Sequence, residues 1–247
     1  KAVLCEKPME ASADRAEQLV EVCADAGVPL MVGYRMQTDP VVRRLKDLVD
    51  AGFIGDPIHV HATMSQTMLG ELTGDPDQWR LDPDRSGGCA LMDIGIYPLN
   101  TTRFVLDADP VAVSGHTRTE HEAFEGVDEH ADFRLEFPNG VTAMCTVSQN
   151  ATHASRLEIT GTDGRVVLDP AFYEREEREV AVERGDVRMD VEVEPVHQVE
   201  EEFAYFGHHL LTETPFYPDG GHALVDSRAL EAIYRSAETG ESVRLTE

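Results

Sequence analysis

The feature that most constrains the fold is the alternation of apolar and polar residues over much of residues 58–193, which has the two-residue period of β-strands. Three turn signals, at residues 138–140, 162–164 and 183–186, each join two alternating runs and predict hairpins. Residues 58–62 and 110–117 add further strands. One face of each strand would be packed and the other wet, so we predict a large, open, mainly antiparallel meander.

Residues 1–34 show a different pattern, in which a strand, a helix and a second strand follow one another. Residues 2–5 and 29–34 are mainly apolar, and between them Ser12 can cap a helix that Gly27 ends. This order predicts a parallel pair with a right-handed crossover, the unit of a doubly wound sheet. The alternative is that both strands extend the larger sheet. We divide the chain near Tyr34 into residues 1–34 and residues 35–247.

Helical periodicity marks three further segments. The first opens at Asp39-Pro40 and ends at Gly52, because proline is tolerated in a first helical turn and glycine favours the exit. The other two close the chain, and their apolar stripes are Val199, Phe203, Phe206 and Leu210 in one and Leu224, Leu230, Ile233, Tyr234 and Ala237 in the other. Helices that flank a large antiparallel sheet make the predicted fold class α+β.

The net charge of -26 excludes two classes of partner. Nucleic acid and anionic membranes require clusters of basic residues, which the chain does not show. The chain also has no apolar run of about 18 residues that could span a bilayer. Lysine occurs only at Lys1, Lys7 and Lys46, while Asp and Glu number 47. Such a composition is typical of a high-salt cytoplasm, where screening reduces self-repulsion.

Cysteine and histidine spacing give no sign of a metal. The four cysteines contain no C-x-x-C pair, so we predict reduced thiols without a zinc site or a disulfide framework. The ten histidines form no His-Glu-x-x-His motif or comparable ligand set. We therefore predict no metal site.

Lys7 is the first candidate for chemistry. It lies directly after a predicted strand and before a predicted helix, at the carboxyl edge of a parallel pair, which is where open α/β sheets bind ligands. A lysine at this place is notable in a chain with three lysines. The alternative is a lysine without a task, as Lys1 shows no obvious one.

The second candidate is a glycine turn at residues 86–88 that leads into a predicted helix. In a helix, Asp93 and Tyr97 stand one turn apart on the same face. Such a pair could bind a substrate hydroxyl and exchange its proton, with a lysine cation favouring the phenolate. The alternative is an ordinary buried tyrosine bonded to a carboxylate. Pro98 would lie in the first helical turn or mark a kink.

Trp79-Arg80 precedes this turn and could form a lid that stacks on a sugar face, or simply pack a loop. With these residues located, the chain resembles the glucose-fructose oxidoreductase and inositol dehydrogenase family. The resemblance is carried by Cys5-Glu-Lys-Pro8, Gly33-Tyr-Arg35, Pro40, Trp79-Arg80, and Gly87-Gly88 leading to Asp93-Ile-Gly-Ile-Tyr97. Within the family, residues 1–245 are most similar to the NADP-dependent D-xylose dehydrogenases of halophilic archaea.

The resemblance implies the roles of individual residues. Glu6, Lys7 and Pro8 would contact a nicotinamide cofactor, NADP or alternatively NAD, and the Lys7–Pro8 peptide bond would be cis. Tyr97 would take the substrate proton, with Lys7 near the nicotinamide and Asp93 orienting the sugar. Weaker candidates for the substrate pocket are Arg35, Trp79, Arg80 and Asn100. The reaction would convert the anomeric carbon of an aldose, D-xylose or a related sugar, to a lactone.

The resemblance also assigns the two parts of the chain. Residues 1–34 would end a Rossmann-type dinucleotide-binding domain, and residues 35–247 would bind substrate and pair subunits through the antiparallel sheet. We expect a cytoplasmic homo-dimer or tetramer that binds a small sugar.

One motif of such enzymes is not found in the chain. A G-x-G-x-x-G loop, which carries the pyrophosphate on a helix N-terminus, does not occur. We therefore expect the chain to hold the catalytic residues of a longer enzyme and to bind cofactor poorly by itself. Two alternatives stay open: a carbohydrate-binding or subunit-pairing module without catalysis, and an inositol or dihydrodiol dehydrogenase on the same fold.

Overall fold

A computed structural model describes residues 1–75, 78–173, 178–194 and 196–245. The strands are β1 (Val3–Glu6), β2 (Leu30–Gly33), β3 (Pro57–Thr67), β4 (Ala112–Arg118), β5 (His130–Glu136), β6 (Thr142–Ser148), β7 (Asn150–Gly161), β8 (Gly164–Asp169), β9 (Glu179–Arg184), β10 (Val187–Val191) and β11 (Val243–Arg244). The α-helices are α1 (Ala13–Asp25), α2 (Arg35–Thr38), α3 (Pro40–Asp50), α4 (Leu69–Gly74), α5 (Pro83–Ser86), α6 (Ile96–Leu106), α7 (Gln198–Thr212) and α8 (Gly220–Thr239). Short 3₁₀ turns lie at Trp79–Leu81 and Glu122–Phe124, and a π-helical segment lies at Ala90–Gly95. No helix in these ranges is long and apolar enough to cross a lipid bilayer.

The predicted strand-helix-strand unit is confirmed. β1 and β2 pair in parallel, with Cys5 opposite Val32. Ser12 caps α1 by accepting a hydrogen bond from the Arg15 amide at 3.4 Å, and Gly27 beyond the helix has a positive φ of 61°. In the described residues the two strands form a sheet of their own, so they do not extend the larger sheet. α1 connects them and packs on α8.

Within the described ranges, the larger sheet has nine strands in the order β10-β9-β8-β7-β3-β6-β5-β4-β11. The three predicted hairpins are confirmed, because β5–β6, β7–β8 and β9–β10 all pair antiparallel. Alternate residues point to one side and are buried there, as Phe133, Leu135, Ala143 and Cys145 show. The opposite face is more exposed. The fold thus combines helices with a large, mainly antiparallel sheet, as predicted.

The position of β3 differs from the predicted meander. This strand lies between β6 and β7, parallel to β6 and antiparallel to β7. Turn residues reveal which neighbouring strands form hairpins, but they carry no information on a strand inserted from earlier in the chain. Val60, Ala62 and Met64 are buried on one face of β3, which suits a strand in the middle of a sheet.

The apolar stripe predicted for α7 is correct at Phe206 and wrong at Phe203. Phe203 is 63% exposed, and the buried residues of the helix are Gln198, Glu202 and Phe206. The reason is that α7 packs on α2, where Arg35 needs a polar partner and hydrogen-bonds to Gln198. Polar contacts decide which side of this helix faces the protein.

Candidate active site

The glycine turn leads into a helical segment with a change of register. Gly87 and Gly88 both have positive φ angles, of 72° and 146°, which glycine adopts without the strain of a side chain. A π-helical stretch follows, and Pro98 then lies in the first turn of α6, one of the two predicted places. Proline has no N–H for a regular helical turn, so the register changes just before it. The segment projects Asp93 and Tyr97 into the same cavity.

Lys7 contacts both of these residues. Its ammonium donates to the Asp93 carbonyl oxygen at 2.7 Å and pairs with Asp93 Oδ1 at 3.4 Å. The same Nζ lies 4.5 Å from the centre of the Tyr97 ring. The Lys7–Pro8 peptide bond is cis, as the resemblance implied. Lys7, which directly follows β1, therefore contacts a helical segment that lies 86 positions later in the chain.

Asp93 is held by three donors. Besides Lys7, Arg80 Nε donates to its Oδ2 at 2.9 Å, and Gln149 Nε2 donates to the same oxygen at 2.8 Å. Burial by itself raises the pKa of Asp93, but the Lys7 and Arg80 cations outweigh burial and lower this pKa below its usual value. Asp93 is therefore a carboxylate, and its main task in the structure is to hold the two cations.

A second cationic side chain, that of Arg35, contacts the hydroxyl group of Tyr97. Arg35 Nε donates to Tyr97 Oη at 3.3 Å, and the guanidinium carbon lies 4.6 Å from the ring centre. Arg35 is itself anchored, since it donates to the Phe172 carbonyl and to Gln198 Oε1. The sequence predicted a lysine beside the tyrosine. The structure adds that an arginine makes the hydrogen bond to the phenol oxygen.

These side chains line a cavity of about 550 Å³. Seven residues predicted for the site lie in its wall: Glu6, Lys7, Arg35, Trp79, Arg80, Asp93 and Tyr97. Five lining residues were not predicted: Met64, Gln66, Met68, Ile94 and Tyr173. A signal for one of them was present, because Gln66 shares the apolar side of β3 with Met64 and is polar there. Residues 76 and 77 near the Trp79 turn lie outside the described part of the chain.

Two predicted site residues do not line this cavity. Pro8 follows Lys7 without reaching the wall. Asn100 is 2% exposed and lies in a separate cluster, where it donates to Asp226 Oδ2 at 2.7 Å. It also contacts His222 Nε2 at 2.9 Å and accepts from Gln37 at 2.8 Å. The structure therefore places Asn100 in the core, away from the other predicted substrate contacts.

Gln149 is a further residue that sequence reasoning missed. It is fully buried, and its amide joins Asp93 to Gln66, from which it accepts a hydrogen bond at 2.8 Å. Gln149 occupies the single position between β6 and β7, at the carboxyl end of β6. Its proximity to Asp93 depends on how the sheet packs on the helical segment, which no local pattern records.

Comparison with known sequences identifies the family. The profile of the GFO/IDH/MocA C-terminal domain matches residues 42–167. A D-xylose 1-dehydrogenase [NADP(+)] from Haloarcula marismortui is 52% identical over 246 residues, which cover 99% of this chain and 68% of that protein. A D-xylose 1-dehydrogenase (NADP(+)) 2 from Haloferax volcanii is 33% identical, covering 98% of this chain and 73% of that protein. Both relatives come from halophilic archaea, in agreement with the predicted halophilic character.

A solved structure agrees with these sequences. The aldose-aldose oxidoreductase from Caulobacter crescentus, complexed with glycerol, superposes with a TM-score of 0.91 at 32% identity, covering 99% of this chain and 72% of that one. The predicted family is confirmed, as are an NAD(P)-dependent oxidoreductase acting on CH–OH groups and NADP as the cofactor. The chain belongs to the GFO/IDH/MocA family.

Proposed function

We propose that this protein acts in the NADP-dependent oxidation of the anomeric carbon of an aldose, D-xylose or a related sugar, to the lactone. The observation that carries the proposal is Tyr97, whose hydroxyl accepts a hydrogen bond from Arg35 and whose ring lies against Lys7 in the wall of the cavity. The names of two halophilic relatives, both D-xylose 1-dehydrogenases, support the substrate class. A likeness to an aldose-aldose oxidoreductase supports sugar chemistry more broadly.

The residues at the end of β1 fit a nicotinamide ring. Glu6 is exposed there and supplies a carboxylate for a ring that is cationic when oxidised, and Ile94 supplies an apolar wall. Lys7 follows Glu6 at the carboxyl edge of the parallel pair, where such sheets bind ligands. Glu6, Lys7 and the adjoining Pro8 would hold this end of the cofactor. When bound, NADP⁺ supplies the acceptor for a hydride from the sugar carbon.

Tyr97 is the residue that would take the proton. A sugar hydroxyl bound at Tyr97 Oη can pass its proton to that oxygen as the carbonyl of the lactone forms. The Arg35 hydrogen bond and the Lys7 ammonium place two cations beside the phenol group that would take the proton. Asp93 keeps Lys7 against the ring, so its role is to position the cation.

Other residues in the cavity wall suit a sugar. Trp79 and Tyr173 present aromatic surface, against which the C–H face of a sugar ring can pack. Arg80 and Gln66 present polar groups that can bind hydroxyls. Arg80 also pairs with Asp93, which links the sugar side of the cavity to the catalytic side.

The wider organisation follows from the same assignment. We place residues 1–34, with their parallel strands, in a Rossmann-type dinucleotide-binding domain, and residues 35–247 in a substrate-binding and oligomerisation domain. Subunits would pair through the outer face of the nine-stranded sheet into a dimer or tetramer. Met144, which is 48% exposed in the middle of β6, supports this choice of face.

Replacement of Tyr97 by Phe tests the proposal. The change removes the proton acceptor but keeps the ring, so kcat for D-xylose oxidation by the NADP-loaded holoenzyme should fall by about 100-fold or more. Tyr205→Phe is the matched control, because Tyr205 lies on α7 outside the cavity wall. The melting temperature Tm of both variants should stay close to that of the wild-type protein.

Two results would contradict the proposal. One is undiminished turnover by Tyr97→Phe, which would remove the assigned role. The other is tight sugar binding to the protein without NADP, measured by calorimetry, together with no oxidation of any aldose when NADP is added in an absorbance screen. That combination would favour a carbohydrate-binding module.

A further inference from the structure

Helix α7 turns a polar face toward the candidate active site. Gln198 and Glu202 are one helical turn apart, and both are buried, with exposed fractions of 0% and 3%. Glutamate is almost never fully buried unless a partner compensates it. Gln198 has such partners, since it accepts from Arg35 and donates to Asp39. Glu202 therefore needs an explanation of its own.

The surroundings of Glu202 leave it unsatisfied. Its carboxylate lies against the carboxyl end of β2, with Oε2 3.4 Å and Oε1 3.5 Å from the place where Gly33 would carry a side chain. Within the described part of the chain, Oε1 is buried without a hydrogen-bond partner. The charged groups that act on it are Glu6, at the end of β1, and Arg35, at the start of α2. Both line the cavity that holds Tyr97.

Glu202 can influence the candidate active site through Arg35. Among the described residues, the hydrogen bonds of Arg35 go to uncharged acceptors: Tyr97 Oη, the Phe172 carbonyl, Gln198 and Met36 Sδ. The positive charge of Arg35 is therefore balanced only by negative groups to which it does not hydrogen-bond. Because Gln198 and Glu202 share one face of α7, a negative Glu202 pulls the guanidinium toward α7 and away from the phenol oxygen.

We propose that Glu202 is a positioning residue for Arg35, and that the proton on Glu202 decides how firmly Arg35 holds Tyr97. The proposal rests on the function assigned above to Tyr97. With Glu202 neutral, Arg35 stays on Tyr97 Oη; with Glu202 ionised, the hydrogen bond weakens.

The charge on Glu202 changes in the neutral range. Burial and, to a smaller extent, the charge of Glu6 raise the pKa of Glu202, Arg35 acts in the opposite direction, and the net result is a rise from 4.5 to about 7. In the unfolded chain the carboxyl loses its proton at lower pH. The folded wild-type protein is therefore destabilised, relative to a variant with no titratable group at this position, as the pH rises from about 4.5 to about 7.

Glu202→Gln is the test, because it keeps the shape and removes the titration. Glu201→Gln is the matched control, since Glu201 is the exposed neighbour on α7. Tm should rise for Glu202→Gln relative to the wild-type protein across this pH window, whereas Glu201→Gln should follow the wild type. The ratio of kcat/KM between Glu202→Gln and the wild-type holoenzyme should grow by roughly threefold to tenfold across neutral pH.

The two readouts separate the possible failures. A Tm difference that does not depend on pH overturns the titration of Glu202. A pH-dependent Tm difference with a flat kcat/KM ratio overturns the link to Arg35. If no aldose is oxidised by any variant, the proposed function fails, while the Tm profile still tests the titration of Glu202. If Glu202→Gln does not fold, Glu202→Asp should retain a pH-dependent Tm, and a flat profile for that variant overturns the proposal.

Discussion

The helical segment of residues 90–106 presents two polar clusters that use similar residue types in opposite ways. The open cluster, Lys7, Arg35, Arg80, Asp93 and Tyr97, lines the cavity. The closed cluster, Gln37, Asn100, Arg103, His222 and Asp226, is buried in the core, where no member is more than 7% exposed. Each contains an aspartate paired with an arginine. One turn of helix separates Tyr97 from Asn100 and decides to which cluster each belongs.

The comparison shows that chemistry depends on access as well as on residue type. In the closed cluster, Asp226 accepts from Arg103 Nη1 at 2.6 Å and from Asn100 at 2.7 Å, and it is fully buried. Burial and the Arg103 charge lower the pKa of His222 to about 3, so this imidazole is neutral. These groups hydrogen-bond mainly to one another in the core, and within the described residues only Gln37 Oε1 among their buried side-chain atoms has no partner. In the open cluster, Tyr97 keeps an oxygen at the cavity wall.

The largest predicted difference between the two clusters is in how much a substitution lowers the stability of the folded protein. Asp226→Ala removes the buried partner of Arg103 and leaves only the more exposed Asp109 to pair with it. Breaking a buried ion pair of this kind costs about 3 to 5 kcal/mol. Tm should fall by about 10 °C. Asp186→Ala, in the exposed turn between β9 and β10, is the control and should leave Tm unchanged. A loss of less than about 1 kcal/mol would show that the closed cluster is not a structural unit.

The next effect belongs to the open cluster and should appear in catalysis. Asp93→Asn keeps the side-chain shape but removes the charge that holds Lys7 and Arg80, and a misplaced catalytic group can cost about 100-fold in kcat. Tm should fall far less than for Asp226→Ala. Asp47→Asn, exposed on α3, serves as the control. Full kcat with Asp93→Asn would mean that Lys7 needs no carboxylate to stay in place.

The smallest effect decides the assignment of Asn100. Because Asn100 lies in the closed cluster, Asn100→Ala should cost about 1 to 3 kcal/mol of stability through lost hydrogen bonds and leave KM for the sugar unchanged. Gln66→Ala, in the cavity wall, is the matched variant and should raise KM with little change in Tm. The reverse pattern, a raised KM and an unchanged Tm for Asn100→Ala, would support the substrate contact that the sequence predicted.

Much of the fold was predictable because its signals are local. Ser12 and Asp39 cap their helices through their own side chains, and the hairpin turns lie within a few residues of the strands they join. The insertion of β3 and the buried face of α7 were not predictable in this way. Both depend on partners that are distant in the chain, such as Arg35 for Gln198, and periodicity alone assigns Phe203 to the wrong side.

The candidate site likewise contains residues that local sequence signals predicted and residues that only long-range packing brings there. Lys7 and Tyr97 were found because one follows a strand beside a proline and the other lies four residues after an aspartate. The contact between Arg35 and Tyr97 spans 62 positions and depends on how α2 meets α6. Gln149 and Glu202 carry no motif, so their proximity to Asp93 and Arg35 emerges only from packing.

The sequence by itself determined the strand-helix-strand unit, the hairpins, the acidic surface and the residues able to do chemistry. It did so because caps, turns, alternation and charge act over a few residues. Only the tertiary structure decided which of those residues share a cavity. That choice follows from the burial of whole faces, which places Tyr97 at an open wall, closes Asn100 into the core and sets Glu202 beside Arg35.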